Sequence, residues 1–238
     1  MSEERTAPEQ TTQVASRPTA YPIIKRFLDL SVASGLLLVL SPLMSLIALL
    51  IKLDSQGPVF FSQERVGARR EVDRDGVARW KTQPFRVLKF RSMVNNADQS
   101  IHESHIRAFV SGTLNQETDE QNVKLHDDAR ITRVGKILRR SSLDELPQLI
   151  NVVKGEMSLV GPRPVPVYEV EGYQQRHFER LHASPGITGL WQVEGRGQVP
   201  FEEMVRMDIW YVRNVSLWLD LKIMAQTIPA VFRGKGAA

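Results

Sequence analysis

The chain has 238 residues, no cysteine, a formal net charge of +4 and a sequence pI near 9.5. That length holds one folded domain with appendages, around a core large enough to stand alone. The missing cysteine excludes disulfides and thiolate metal sites and points to a reducing compartment; the mild basic excess suits anionic lipid, nucleotide phosphates or nucleic acid without choosing among them.

Residues 1–20 are polar, rich in Pro, Thr and Gln, and without periodicity. They are expected to form a disordered tail, with no signal peptide because no apolar stretch follows a basic start. Residues 21–54 are different in kind. From Leu30 to Ile51 about 22 residues carry no charge, enough for a helix to cross roughly 30 Å of hydrocarbon. Ser41-Pro42 interrupts the middle, and an interior proline costs a helix about 3 kcal/mol. More than a dozen large apolar residues, at about −0.3 to −0.6 kcal/mol each, outweigh that cost, so membrane contact is retained. Basic residues flank both sides, Lys25 and Arg26 before and Lys52, Arg65, Arg69 and Arg70 after. A through-span favours one side, so this balance suits a helix–break–helix that enters and leaves by the cytoplasmic face. A buried helix of a soluble core is the alternative, and re-entrant versus spanning geometry stays open on these grounds.

Residues 55–238 read as a cytosolic domain. PVFFSQERVG and PFRVLKFRSM, with Asp75-Gly76 between them, predict a β-hairpin with a long loop. A short helix is expected at about 97–110, then an irregular polar connection to 130. From Ile131 the helical period returns and runs through Leu143, Leu146, Leu149 and Val153. MSLVGPRPVPV reads as a proline-punctuated loop, EVEGYQQRHFERL as a helix and SPGITGLWQVEGRG as a glycine-rich turn region. Two more helices, FEEMVRMDIWYVRN and SLWLDLKIMAQTIPAVFRG, close the chain. The second places Leu217, Trp218, Leu221, Met224, Ile228 and Phe232 on one broad face, suited to core packing or to the lipid interface.

The stretch RRSSLDELPQL, 139–149, admits two readings. Ser142-x-x-Glu145 matches a capping box, and Asp144 and Glu145 suit the first turn of a helix. The same carboxylates stand near Arg139, Arg140 and the stiffened loop Gly161-Pro162-Arg163-Pro164, a set that fits phosphate. A carboxylate attacking a phosphate must overcome like-charge repulsion, which calls for arginine and a divalent cation.

Taken in order, KRFLDLSVASGLLLVLSPLMSLIALLIKLDSQGPVFFSQERVG, KFRSM, DDARITRVGKILRRSSLDELPQLINVVKGEMSLVGPRPVPV and PGITGLWQVEGRG resemble the bacterial sugar transferase family, the monotopic phosphoglycosyl transferases. The likeness covers about residues 22–233. It implies an α+β, membrane-associated enzyme with a re-entrant helix broken at Ser41-Pro42. It also implies transfer of a sugar phosphate from a UDP-sugar to undecaprenyl phosphate, with UMP as the other product, as the first step of surface polysaccharide or exopolysaccharide synthesis. By resemblance, Asp144 is the nucleophile that becomes a covalent phosphosugar carrier. Glu145 is its partner in placing Mg2+ or in accepting a proton. Lys89, Arg91, Arg139, Arg163 and Arg196 are candidates for diphosphate and lipid phosphate, with Gln192 and Asp208 behind them. The bilayer in question is a bacterial inner membrane with the catalytic domain on its cytoplasmic face, and the exposed apolar helices are compatible with a homodimer. The chain departs from the family pattern at Ala129, where a proline is common, and at Glu194, often Asn or Ser. Asp73-Arg74-Asp75 and His102-x-x-His105 match metal-binding fragments too short to carry weight. No nucleic-acid module is recognisable.

Overall fold

A computed structural model describes residues 11–13, 20–72, 78–95, 100–113, 128–195 and 199–233. Its longest element is α1, Tyr21–Asp54, which begins with Pro22 in the first turn, where the missing N–H costs nothing. The helix continues through Pro42, where the expected break is not seen. Ser41 Oγ donates to the Leu38 carbonyl, and Ser45 Oγ donates to the Ser41 carbonyl. Hydroxyls of this kind re-satisfy carbonyls that a helix proline disturbs.

Both ends of α1 are tied to the folded body. At the start, Arg26 donates to the Val152 and Val153 carbonyls, Lys25 pairs with Asp220 at 2.8 Å, and Asp29 accepts from the Leu159 N–H. At the end, Asp54 accepts from the Val134 N–H, while Ile47 and Ile51 pack on Phe90 and Leu138. Most of the remainder is uncovered: in its most apolar 18-residue window, of mean hydropathy 2.4, only 11% is buried. Leu38, Val39 and Leu53 are each at least 74% exposed. Among the described residues it is the one helix long and apolar enough to cross a membrane.

Strands β2, Phe60–Val72, and β3, Ala78–Phe90, pair antiparallel along their whole length, with Arg65 opposite Phe85 and Phe61 opposite Lys89. The expected hairpin is present, although its Asp75-Gly76 turn lies outside the described residues. Thr11–Gln13, expected to be disordered, forms β1 on the other edge of β3. The rest of that tail lies outside the described residues apart from Ala20. Helix α2 occupies Ser100–Ser111, close to its predicted place.

The run from 131 to 153 is not one helix. It comprises α3, Arg133–Arg140, a 3-10 turn at Leu143–Glu145, and α4, Gln148–Lys154. The helical period survives because the pieces share a buried face, with Leu138 and Leu146 against one cluster and Leu149 and Val152 in another. Two short parallel strands, β4 at Ser158–Val160 and β5 at Gly186–Thr188, lie inside what reads as loop and turn. Helix α5 covers Val167–Val170, and a 3-10 helix covers Gln175–Leu181 in place of the single helix predicted there. Helices α6, Leu190–Glu194, α7, Phe201–Arg213, and α8, Leu217–Arg233, complete the chain. The broad face of α8 is divided. Met224 packs against the core, whereas Trp218, Leu221 and Ile228 stay exposed; the residues that α8 buries fully, Leu219 and Ile223, lie off the expected face. Trp191 and Tyr211 are buried, whereas Trp210 and Trp218 are exposed, where aromatic rings suit a bilayer interface.

Candidate active site

The site is assembled where the 3-10 turn at 143–145 rests on β3. Asn151 of α4 is completely buried and uses both ends of its amide on β3, accepting from the Leu88 N–H and donating to the Arg86 carbonyl. This fixes α4, and the turn before it, beside Lys89. Ser142 takes φ +57°, the one non-glycine residue in the left-handed region among those described. Such a residue costs on the order of 1–3 kcal/mol and gathers at functional sites. The predicted capping box is absent: the Ser142 side chain caps nothing, and Glu145 N–H bonds only its carbonyl. With capping removed as their reason, Asp144 and Glu145 need another account.

Asp144 is 7% exposed. Its charge acts on Arg139, whose guanidinium burial otherwise pushes below its ordinary range. Glu145 turns to Lys89, with Oε1 accepting from Nζ at 2.9 Å and both side chains about four-fifths buried. Glu145, Lys89, Arg163 and Gln192 line one cleft of about 260 Å³, together with Arg65 and Gln148. Gln192 Nε2 donates to the Ile187 carbonyl, while its Oε1 is buried without a partner. An unpaired buried acceptor costs about 1–3 kcal/mol, so it is suited to a donor arriving from outside.

Arg163 is placed by backbone against backbone. The Gly161 N–H donates to the Thr188 carbonyl and the Gly186 N–H to that of Pro162, at 2.9 and 2.8 Å. A Cβ at Gly161 would lie 2.2 Å from the Ser184 oxygen, and one at Gly186 would lie 2.1 Å from the Gly161 nitrogen. The two glycine-bearing motifs, SLVGPRP and SPGITGL, are therefore one unit, and only glycine permits the approach.

Arg65 was missed as a site residue. It faces the cleft from β2, and burial followed by repulsion from Arg163 lowers its pKa to about 10. Strand parity could have found it. With Arg65 opposite Phe85, residues 61, 63 and 65 share a face with 85, 87 and 89, so Arg65 and Lys89 project from the same side.

Two predicted residues, Arg91 and Asp208, do not line this cleft. β3 ends at Phe90, so Arg91 does not alternate back beside Lys89. It lies beneath the end of α1, donating to the Ile51 and Ser55 carbonyls and the Ser55 hydroxyl. There it satisfies carbonyls that a helix terminus leaves unpaired. Asp208 is fully buried behind Arg180, which donates to it from Nε and Nη2 at 3.0 and 2.6 Å. Burial pushes the Asp208 carboxyl up to about 6 against the pull of Arg180. Arg196 lies outside the described residues, as does Asp73-Arg74-Asp75.

The carboxylates also bear on a metal. Among the described residues no group of three or more carboxylate or histidine side chains gathers at one point. An all-protein cage is thus not offered, yet Mg2+ commonly uses one or two carboxylates and takes its other oxygens from phosphate and water. The adjacent Asp144 and Glu145 fit that manner of binding.

Comparison with known proteins agrees with this chemistry. The family model described as bacterial sugar transferase matches residues 20–234. The exopolysaccharide production protein ExoY of Sinorhizobium fredii is 42% identical over 90% of this chain and 88% of its own length. A UDP-galactose-lipid carrier transferase of Erwinia amylovora is 42% identical, and an undecaprenyl-phosphate galactose phosphotransferase of Salmonella typhimurium is 39% identical. Each match spans 90% of this chain and 41% of the relative. On the extent of these matches, the chain belongs to the bacterial sugar transferase family and is a sugar-phosphate transferase.

Proposed function

We propose that the enzyme transfers a sugar phosphate from a UDP-sugar to undecaprenyl phosphate through a phosphosugar ester of Asp144. An Asp144 carboxylate oxygen attacks the phosphorus that bears the sugar. The bond from that phosphorus to the bridging oxygen breaks, and UMP departs with the electron pair. A phosphate oxygen of the lipid then attacks the same phosphorus, the acyl phosphate bond breaks, and Asp144 is regenerated. The observation that carries this reading is the setting of the Asp144-Glu145 pair. One carboxylate is buried beside Arg139, the other is paired with Lys89, and Arg65 and Arg163 stand over the same cleft. Cations placed around a buried carboxylate lower the repulsion that an anionic diphosphate would otherwise meet.

Asp144 and Glu145 would hold Mg2+, which would supply charge neutralisation at the phosphate oxygens. Lys89, Arg65 and Arg163 hold the diphosphate, and Gln192 Oε1 accepts from the substrate. The names of relatives from Salmonella and Erwinia support a lipid-carrier acceptor, and the name ExoY supports a place in exopolysaccharide production.

The membrane arrangement follows from α1. Lys25, Arg26 and Asp29 at one end and Asp54 at the other bond to the same folded body. A helix that crossed the bilayer would separate those ends by some 30 Å of hydrocarbon. We therefore read α1 as kinked at Pro42 while remaining helical, dipping into one leaflet and returning, with Trp218, Leu221 and Ile228 at the same surface. That surface is the cytoplasmic face of the inner membrane, where the UDP-sugar is found. The test is product identity. Membranes containing the protein, given undecaprenyl phosphate and a UDP-sugar, are expected to release UMP. Asp144→Asn or chelation of Mg2+ should abolish that release. Release of UDP instead would mean transfer of the sugar without its phosphate and would reject the reading.

A further inference from the structure

A second cavity of about 390 Å³ opens beside the cleft, walled by Arg65, His102, Ile106, Arg163, Glu169 and Arg180 among others. Arg65, Arg163 and Pro164 border both spaces, so the two are neighbours across a common cationic wall. No residue of α1 lines it; its walls come from β2, α2, α5, α7, the 161–165 loop and the 3-10 helix at 175–181.

Its lining mixes apolar and polar side chains. Ile106 and Met204 are almost fully buried. One turn from Ile106 on the same face of α2, His102 shares a hydrogen bond of 2.6 Å between its Nδ1 and the Tyr168 hydroxyl. Glu169 is 5% exposed and is held by the Tyr173 hydroxyl at 2.7 Å and Arg180 at 3.2 Å. Arg180 itself is clamped by Asp208 and Tyr173. A few fixed polar groups among apolar side chains are the usual lining of a small-molecule site.

The order of the proposed reaction assigns the occupant. UMP leaves before the lipid phosphate arrives, and both act on one phosphorus, so the lipid phosphate must enter where UMP left. The sugar alone stays through both steps. It therefore needs a space next to the phosphate site that the incoming lipid does not cross. We propose that this cavity, away from α1, holds the sugar ring of the nucleotide sugar, with His102 and Glu169 reading its hydroxyls and Ile106 and Met204 meeting its apolar face. The assignment rests on the two-step transfer reading above. Burial, with Arg65 and Arg163 nearby, depresses the His102 imidazole to about 4. It is thus neutral at working pH, and with Nδ1 engaged by Tyr168 its Nε2 can accept or donate according to the tautomer. A site built around hydroxyl contacts discriminates strongly among sugars that differ at one hydroxyl.

The test uses full-length protein in membranes with UDP-glucose, UDP-galactose and UDP-N-acetylglucosamine, following UMP release. His102→Gln and Ile106→Val are compared with wild type for kcat/KM on each donor, for inhibition by UMP, and for KM of undecaprenyl phosphate. The expected result is a change of about tenfold or more in the preference ratio between donors, with UMP inhibition and lipid KM within about twofold. Ile106→Val removes a single methylene and carries the comparison if His102→Gln does not fold. Unchanged donor ratios overturn the assignment, as does a matching loss of UMP inhibition, which would give the cavity to the uridine. Wild-type protein that releases no UMP from any donor overturns the transfer reading and this assignment together. Normal wild-type turnover with unmoved ratios overturns this assignment alone.

Discussion

Gly161→Ala isolates the contribution of backbone packing to the placement of Arg163. The added Cβ would stand 2.2 Å from the Ser184 carbonyl oxygen and 3.0 Å from the Gly186 nitrogen. Both neighbours are backbone and cannot swing aside. Separation to 3.0 Å requires the 161–164 loop to move by about 0.8 Å from the 184–186 segment. Arg163 is two residues along that loop and borders both cavities. Misplacement of a positioning group by about 1 Å costs on the order of 10²-fold, so kcat/KM for UMP release is expected to fall about 30- to 100-fold. Overpacking of this kind costs about 1–3 kcal/mol. In a domain of this size that lowers Tm by roughly 2–12 °C. The assay is UMP release in membranes, beside a thermal scan. Gly35→Ala is the control, because nothing lies within 4 Å of its added Cβ. Turnover of Gly161→Ala within twofold of wild type would refute the claim that this close approach sets Arg163.

Three further outcomes follow from other contacts. Lys89→Met removes the 2.9 Å partner of a Glu145 side chain that is about four-fifths buried; kcat/KM is expected to fall about ten- to a hundredfold, with partial recovery in Lys89→Arg. Asp29→Ala orphans the Leu159 N–H in the core. The expected cost is about 1–3 kcal/mol, read from the unfolding midpoint, while Asp29→Asn keeps an acceptor and most of the stability. For His102 the folded pKa, about 4, lies below the ordinary 6.5, so the unfolded chain takes the proton first as pH falls. The associated stability is present above pH 6.5 and is lost progressively towards pH 4, by at most about 3 kcal/mol. His102→Gln is expected to flatten that slope, as measured by denaturant unfolding across the window.

The elements visible in the sequence are those that carry their own periodicity. The apolar run of α1, the alternation of β2 and β3 and the amphipathic α7 and α8 are each specified by local pattern. The strands β4 and β5 have three residues each and are held by glycines that let two distant segments touch, so nothing local announces them. The break between α3 and α4 is hidden because its pieces keep the helical spacing, and Ser142 in a left-handed conformation is not a residue choice that signals a bend.

Within the site, the resemblance selected Glu145, Lys89, Arg163 and Gln192, which line one cleft, and Arg139, which lies within the field of Asp144. Arg91 stands one residue past the end of β3 and turns beneath α1, and Asp208 is held in a buried ion pair with Arg180, so neither lines that cleft. Arg65 follows from strand register once the hairpin pairing is known.

The account depends on Asp144 carrying the phosphosugar between the two half-reactions. The most direct measurement is the intact mass and peptide map of protein quenched after mixing with a UDP-sugar and Mg2+, with undecaprenyl phosphate absent. A gain of one sugar phosphate on the peptide containing Asp144, lost when the lipid is added and absent in Asp144→Asn, is predicted. Full turnover with no adduct at that aspartate, or with the adduct on another residue, would contradict it.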